Sequence, residues 1–282
     1  MRMAVLGAHG QLGAAFVQEA AAAGHEVLPY DHRALDVTDA RAVQTEMGRV
    51  LPGAIVNCTG YNAVDLAEDH PVDALTLNAF AVRDLARAAE ASGAVLVHYS
   101  SDFVFDGETD RPYTEEDRPN PRSAYAASKM IGEWFAADAA QAYVLRVESL
   151  FGHAKQAGAP KGTVAAIIAG LRGGTPVTVF SDRTVSPTYV FDAARATLTL
   201  VERRAAPGLY HCVSSGHTTW ELFAREAATL LGVEPHLNVV SVADVKLKAP
   251  RPRYCALSSA KLAAAGYEMP TWEAALARHL RT

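Results

Sequence analysis

MRMAVLGAHGQLGAAFVQEAAAAG (residues 1–24) opens the chain, and its reading decides the fold. A short apolar run, 2–6, meets the glycines Gly7, Gly10 and Gly13; an alanine-rich stretch, 12–23, follows and is stopped by Gly24. Strand, glycine turn and helix together make an anion cradle. The first N–H groups of a helix lack internal partners, and the helix dipole makes that end positive. In this reading Gly7 permits the tight turn, Gly10 lets a pyrophosphate approach the backbone, and Gly13 lets helix and sheet pack closely. The spacing is G-x-x-G-x-x-G rather than G-x-G-x-x-G. Asp31 ends the next apolar run, 18 residues after Gly13. A carboxylate there accepts hydrogen bonds from an adenosine ribose and favours NADH. His32 and Arg33 follow it, and an arginine suits a 2′-phosphate, so NADPH stays open as the cofactor.

Working outward, short apolar runs alternate with helical ones. Strands are expected at 2–6, 26–30, 54–57, 95–99 and 143–147, with helices at 12–23, 75–91 and 124–140. Continuous apolar strands between helices indicate a parallel sheet covered on both faces. The fold class is therefore α/β, a doubly wound Rossmann sheet over 1–147, with a smaller C-terminal substrate-binding lobe over 148–282. Within that second part, a helix is expected at 163–171, a strand at 177–180, and helices at 193–203 and 219–231. Residues 177–205 are expected to return to the sheet domain. The glycine-containing segment HAKQAGAPKG (153–162) reads as a mobile loop that closes over a ligand.

The chemistry is expected in SAYAASKMIGEWF (123–135). Tyr125 and Lys129 are one helical turn apart and share a face. An ammonium ~4 Å from a phenol contributes about 4 kcal/mol at an effective dielectric of ~20, enough to draw the phenol toward neutral pH, where general acid catalysis works best. Upstream, VLVHYSSD (95–102) carries Ser101 at the carboxyl end of a predicted strand, where ligands of a doubly wound sheet sit. A serine and a tyrosine on one carbonyl oxygen, with a nicotinamide behind it, are the parts of a hydride-transfer site. Ser101, Tyr125 and Lys129 are the expected catalytic residues, and Lys129 can also hold the nicotinamide ribose.

With the glycine turn, Ser101 and Tyr125/Lys129 in this order, the chain resembles an extended short-chain dehydrogenase/reductase. The closer likeness is to the branch of dTDP-4-dehydrorhamnose reductases, which reduce a 4-keto nucleotide sugar. GAHGQLG (7–13) resembles that branch's phosphate turn and implies cofactor contacts from Gly7, Gly10, Gln11, Leu12 and Gly13. LDVTD (35–39) resembles its adenine side, with Asp36 and Val37. IVNCTGYNAVDLAE (55–68) places Gly60, Tyr61 and Asn62 along the cofactor. LVHYSSDFVFDG (96–107) is similar to the catalytic strand, and SDRTVSPTY (181–189), GLYHCVSSGHTTW (208–220) and RPRYCALSSAKL (251–262) to the C-terminal signatures. The resemblance implies that Asp102 touches the sugar. It also exposes a departure: where the branch reads R-T-S-W, this chain reads Arg146-Val147-Glu148-Ser149, so Ser149 stands in place of a substrate-contacting tryptophan. Arg183, Arg251 and Arg253 suit a substrate diphosphate, since guanidinium forks match phosphate oxygens. Two other functions remain open. Dehydratases of the superfamily carry Asp-Glu after the catalytic hydroxyl residue, whereas here Asp102-Phe103 follows Ser101; epimerases are harder to separate. A non-catalytic relative, the regulatory β subunit of methionine adenosyltransferase, binds the cofactor only.

Composition narrows the setting. The chain has 282 residues, a net charge of −5 and half its residues hydrophobic. It lacks a basic stripe, so neither nucleic acid nor an anionic membrane is an expected partner. A small nucleotide sugar is, and a homodimer is compatible. Cys58, Cys212 and Cys255 have no metal or disulfide spacing and read as reduced thiols of a cytoplasmic protein. No apolar stretch reaches the ~18 residues of a membrane span. Asp65, Glu68 and Asp69 fit a solvated helix start, and no catalytic metal is expected. His9 reads as incidental, His98 as a packed core residue, and Trp134 and Phe135 as core.

Overall fold

The computed structural model describes residues 1–281. The first half lays down β1 (Arg2–Leu6), α1 (Gln11–Ala22), β2 (Glu26–Tyr30), α2 (Ala40–Val50), β3 (Ala54–Asn57), α3 (Pro71–Leu75), α4 (Ala81–Ser92), β4 (Val95–Ser101), α5 (Ala124–Ala136) and β5 (Ala142–Val147). The second half adds β6 (Leu150–Phe151), α6 (Thr163–Gly173), β7 (Val177–Phe180), β8 (Thr184–Val185), β9 (Thr188–Tyr189), α7 (Val190–Glu202), β10 (Gly208–His211), β11 (Thr218–Thr219), α8 (Trp220–Leu231), β12 (Leu237–Val240), α9 (Ala260–Ala264) and α10 (Trp272–Arg281). Six strands form one parallel sheet in the order β10-β5-β4-β3-β1-β2. β1, β3 and β5 are apolar and buried almost throughout because helices cover both faces. Pro29 falls in β2, the sheet edge, where its missing N–H costs no ladder bond.

α1 and α7 pack together on one face of the sheet; α2, α4 and α5 pack in series on the other. The order reverses between β1 and β3, so the crevice at their carboxyl ends is the switch point where such sheets bind ligands. The return of 177–205 to this unit is only partial. α7 lies on α1, but β7 pairs with β12 in a separate two-stranded sheet. The sheet's last strand is instead β10, which GLYH did not announce as a strand. Among the described residues, no helix is long and apolar enough to cross a membrane.

Two other expectations need correcting. The helix expected at 124–140 ends at Ala136, because the chain must turn to enter β5 and alanine carries no stop signal. Trp134 is not core: it is 61% exposed on the outer face of α5, while Phe135 is half-buried with its ring 6.4 Å from Phe80. The helix expected at 75–91 begins earlier, with Pro71 in its first turn, and passes through a π-helical turn at Thr76–Phe80. That turn pushes its backbone against α5. A Cβ added at Gly132 would lie 2.1 Å from the Asn78 carbonyl oxygen.

Gly132→Ala is therefore expected to destabilise the protein by about 1–3 kcal/mol, although alanine is the better helix former by about 1 kcal/mol. Urea unfolding monitored by circular dichroism checks this; an unchanged or higher midpoint contradicts the close packing.

Candidate active site

The phosphate turn forms as its glycines require. Gly7 has φ +73, and a Cβ at Gly13 would stand 2.2 Å from the Gly7 carbonyl oxygen. Gly13 thus serves close packing against the turn itself rather than against the sheet. Gly10 is the N-cap of α1 and offers no side-chain cap, so the helix's first N–H groups point into the groove. This glycine turn, with its uncapped helix start, fits a dinucleotide pyrophosphate. Leu12 is buried behind the turn. Gln11 spends an amide N–H on the Gly152 carbonyl at 2.9 Å, and the Gly158 N–H reaches the His9 carbonyl at 3.3 Å. The second bond ties the 153–162 segment to the phosphate turn, and the first ties the residue just before it.

Asp31 lies just beyond β2. Its Oδ1 accepts the Arg33 and Ala34 N–H groups and its Oδ2 is 3.4 Å from His9 Nδ1, so His9 is a partner rather than a bystander. Asp36 closes a turn by accepting from Thr38, and Val37 is buried beside it. Past β3, the loop with Gly60, Tyr61 and Asn62 is clamped by Asn78. The Asn78 amide accepts the Tyr61 N–H at 2.8 Å, donates to the Tyr61 carbonyl at 3.1 Å, and donates to Ser128 Oγ at 2.9 Å. Ser128 in turn donates to the Tyr125 carbonyl at 2.7 Å. Asn78 therefore joins the expected cofactor loop to the catalytic helix; within a run of helix-forming residues, nothing in the sequence singled it out.

α5 starts at Ser123, whose side chain caps the Ala126 N–H, and Glu68 accepts the Ala124 N–H at 2.8 Å. Glu68 is thus bound, while its neighbours are ion-paired yet remain solvated, the Asp65 and Asp69 side chains each being 46% exposed. Asp65 holds Arg251 at 2.8 Å, and Asp69 holds Lys248. Tyr125, Lys129 and Glu133 follow at intervals of four along one face of α5. Ser101 ends β4 and donates to Asp102 Oδ1 at 2.9 Å, and its hydroxyl is a polar neighbour of the Tyr125 phenol. Lys129 Nζ donates to the Tyr99 carbonyl at 2.6 Å.

The electrostatics overturn one expectation. Burial pushes the Tyr125 phenol up to about 12, with the Ser101 hydrogen bond pulling down and the Asp102 charge pushing up. Burial brings Lys129 down to about 8, opposed by Glu133. Desolvation outweighs the attraction assumed from helical spacing, and the ammonium is turned toward Tyr99. The phenol accordingly stays protonated at neutral pH. His98 is a packed core histidine as read: burial, then the Lys129 charge, holds it well below its usual range.

Phe103, also unforeseen, links the site to the C-terminal lobe. Its ring meets Tyr125 edge-on at 5.6 Å, and the Arg183 and Arg251 guanidiniums lie 5.4 and 5.7 Å from its centre. Arg253 stays exposed and faces Asp182 at 3.4 Å. Ser149 has φ +44, a left-handed conformation uncommon outside glycine, at the carboxyl edge of the sheet. Its neighbour Glu148 is buried, and one ligand atom each from Glu148, Asp102 and Cys255 lie within 4.8 Å of one another. Such a set can hold a cation, but Arg183 supplies positive charge there, with Nη2 3.7 Å from Cys255 Sγ.

The parallel sheet, glycine cradle and Ser-Tyr-Lys constellation define an extended short-chain dehydrogenase/reductase that uses a nicotinamide dinucleotide. The profile of the family described as RmlD substrate binding domain matches residues 1–282, and the chain belongs to that family. A dTDP-4-dehydrorhamnose reductase of Streptomyces griseus is 35% identical over 98% of this chain and 91% of its own. The crystal structure of a dTDP-4-dehydrorhamnose reductase from Bacillus anthracis, in complex with NADP, is 30% identical with a TM-score of 0.93, covering 99% of this chain and 98% of that one. A third, from Clostridium acetobutylicum, is 30% identical with a TM-score of 0.92, covering 100% and 99%.

Asp31→Ala is expected to shift relative affinity from NADH toward NADPH by about tenfold, the worth of one charge-assisted hydrogen bond. Fluorescence titration with each reduced cofactor measures it; an unchanged ratio removes Asp31 from the ribose site.

Proposed function

We propose that this protein reduces the 4-keto group of a nucleotide sugar, as a dTDP-4-dehydrorhamnose reductase does, with NADPH or NADH. The observation that carries the reading is the convergence of Ser101, Tyr125 and Lys129 at the carboxyl edge of β4, beside the glycine cradle. The bound dinucleotide supplies a hydride to the keto carbon. Ser101 and Tyr125 hold the carbonyl oxygen, and Tyr125 gives it a proton as negative charge develops. A phenol held near 12 is still a far stronger acid than the alcohol being formed, and remaining protonated at neutral pH suits it to be the donor. Lys129, charged for the most part below about 8, offers N–H groups to the ribose and a field that stabilises the phenolate left behind.

Gly7 to Gly13 would seat the pyrophosphate, Asp31, Asp36 and Val37 the adenosine, and Gly60, Tyr61 and Asn62 the middle of the dinucleotide. The lobe over 148–282 would seat the substrate. Asp102 and Ser149 face the sugar, and Arg183 and Arg251, both over Phe103, are the candidates for its diphosphate. Arg253, exposed and paired with Asp182, contributes less. Three unpaired thiols suit the reducing cytoplasm, where reduced nicotinamide cofactors are available.

The test follows nicotinamide absorbance with dTDP-4-dehydrorhamnose. Stoichiometric oxidation is expected, falling by at least about 100-fold in Tyr125→Phe with cofactor affinity unchanged. A failure to oxidise either cofactor across a panel of 4-keto nucleotide sugars overturns the reading in favour of a cofactor-binding subunit.

A further inference from the structure

Behind Ser101, two acids are buried together. Glu148 and Asp102 are 1% and 3% exposed, and each has one oxygen with no hydrogen-bond partner, Glu148 Oε1 and Asp102 Oδ2. Their other oxygens are engaged. Glu148 Oε2 accepts the Ser186 N–H at 2.7 Å, and Asp102 Oδ1 accepts from Ser101 Oγ at 2.9 Å. Unpartnered buried oxygens are uncommon enough to need an explanation. Two carboxyls this close and this dry resist ionising together.

The Ser101 bond raises a difficulty for catalysis. Ser101 has one hydroxyl proton, and in this structure it points at Asp102. To donate to a substrate carbonyl it must leave that carboxylate, whose charge then needs another donor.

We propose that Glu148 is a positioning residue that carries a proton and donates it as a hydrogen bond to Asp102, releasing the Ser101 hydroxyl to the substrate ketone. No covalent bond to carbon changes in this step. One hydrogen bond, Ser101 to Asp102, is exchanged for another, Glu148 to Asp102, and the hydride and proton transfers are untouched. One oxygen of each acid already lies within 4.8 Å of the other.

The surroundings are consistent with a proton resting on Glu148. Burial first, and then the Asp102 charge, holds Glu148 well above the usual carboxylate range, with the Ser186 N–H and the Arg183 charge opposing. Asp102 is likewise raised by burial, with Arg183 and the Ser101 bond opposing. Arg183, Tyr254 and Cys255 complete the ionisable groups that face Glu148. Of these, Arg183 is the cation; burial keeps Tyr254 and Cys255 protonated.

The inference rests on the reductase reading, and its test separates the two. In the wild-type protein, infrared difference spectra between neutral and alkaline pH are expected to lose a protonated-carboxyl band, and the Glu148→Gln variant to lack it. This readout needs no turnover and stands even if the sugar is misassigned; absence of the band in the wild type overturns the proposal. In kinetics, Glu148→Gln keeps an N–H donor toward Asp102 and a carbonyl toward Ser186. It is expected to stay within about threefold of wild-type kcat at neutral pH and to lose the part of the alkaline limb that Glu148 ionisation adds, leaving the limb that Lys129 imposes at about 8. Glu148→Met, similar in size but without a donor, is expected to lose about 10–100-fold in kcat, the worth of one hydrogen bond to a charged group. A purely structural role lowers rates without changing the shape of the pH profile. An alkaline limb unchanged in both shape and midpoint in Glu148→Gln therefore overturns the proposal.

Discussion

The active site hangs on one buried ion pair. Arg146 of β5 and Glu133 of α5 meet through two parallel bonds of 2.8 and 2.7 Å, with both side chains almost wholly removed from solvent. The guanidinium also lies 4.8 Å from the centre of the Phe105 ring and 3.4 Å from His211 of β10. Two ions taken out of water in this way do not make the protein much more stable than a well-packed apolar pair would. They do impose a geometry, because a bidentate fork admits one relative placement of its partners. Helix α5 is thereby fixed in rotation and height against the sheet. Tyr125 and Lys129, two turns and one turn before Glu133, are then aimed at the end of β4.

The same dryness that demands this pairing governs the chemistry. Tyr125, Lys129, Asp102 and Glu148 are all displaced toward their neutral forms, and burial is the leading cause in each. The crevice therefore holds the protons of its acids tightly while loosening that of Lys129. Phe103 makes the boundary of this region. One side of its environment is the catalytic phenol; the other is two guanidiniums from the C-terminal lobe. In the proposed reaction, the reacting carbonyl and the anionic diphosphate of the same ligand would thus meet opposite neighbours of a single ring.

How much of this was legible depended on distance along the chain. The glycine turn, the parallel strands and the Tyr125–Lys129 face are local patterns, and local sterics reproduce them. The acidity of the phenol was misjudged because helical spacing reveals proximity but not burial, and burial dominated. Trp134 was placed in the core because an alanine-rich helix conceals which side faces outward. Arg251 looked like a free phosphate ligand, yet its partner Asp65 lies 186 residues away. The Glu148–Asp102–Cys255 grouping assembles a loop, a strand end and the C-terminal segment. Only the unusual Arg146–Ser149 segment hinted at it, through a charged residue directly after a buried strand. The Asn78 clamp gave no such hint, since its neighbours read simply as helix.

The position of β10 bears on how the molecule comes to exist. The sheet's outer strand beside β5 is Gly208–His211, so the residues before it are synthesised while β5 has a free edge. During that interval a row of edge backbone groups has no strand partner. It gains one only after some sixty further residues have been made, including all of α6 and α7. The nascent chain thus passes through a vulnerable stage that the finished protein hides.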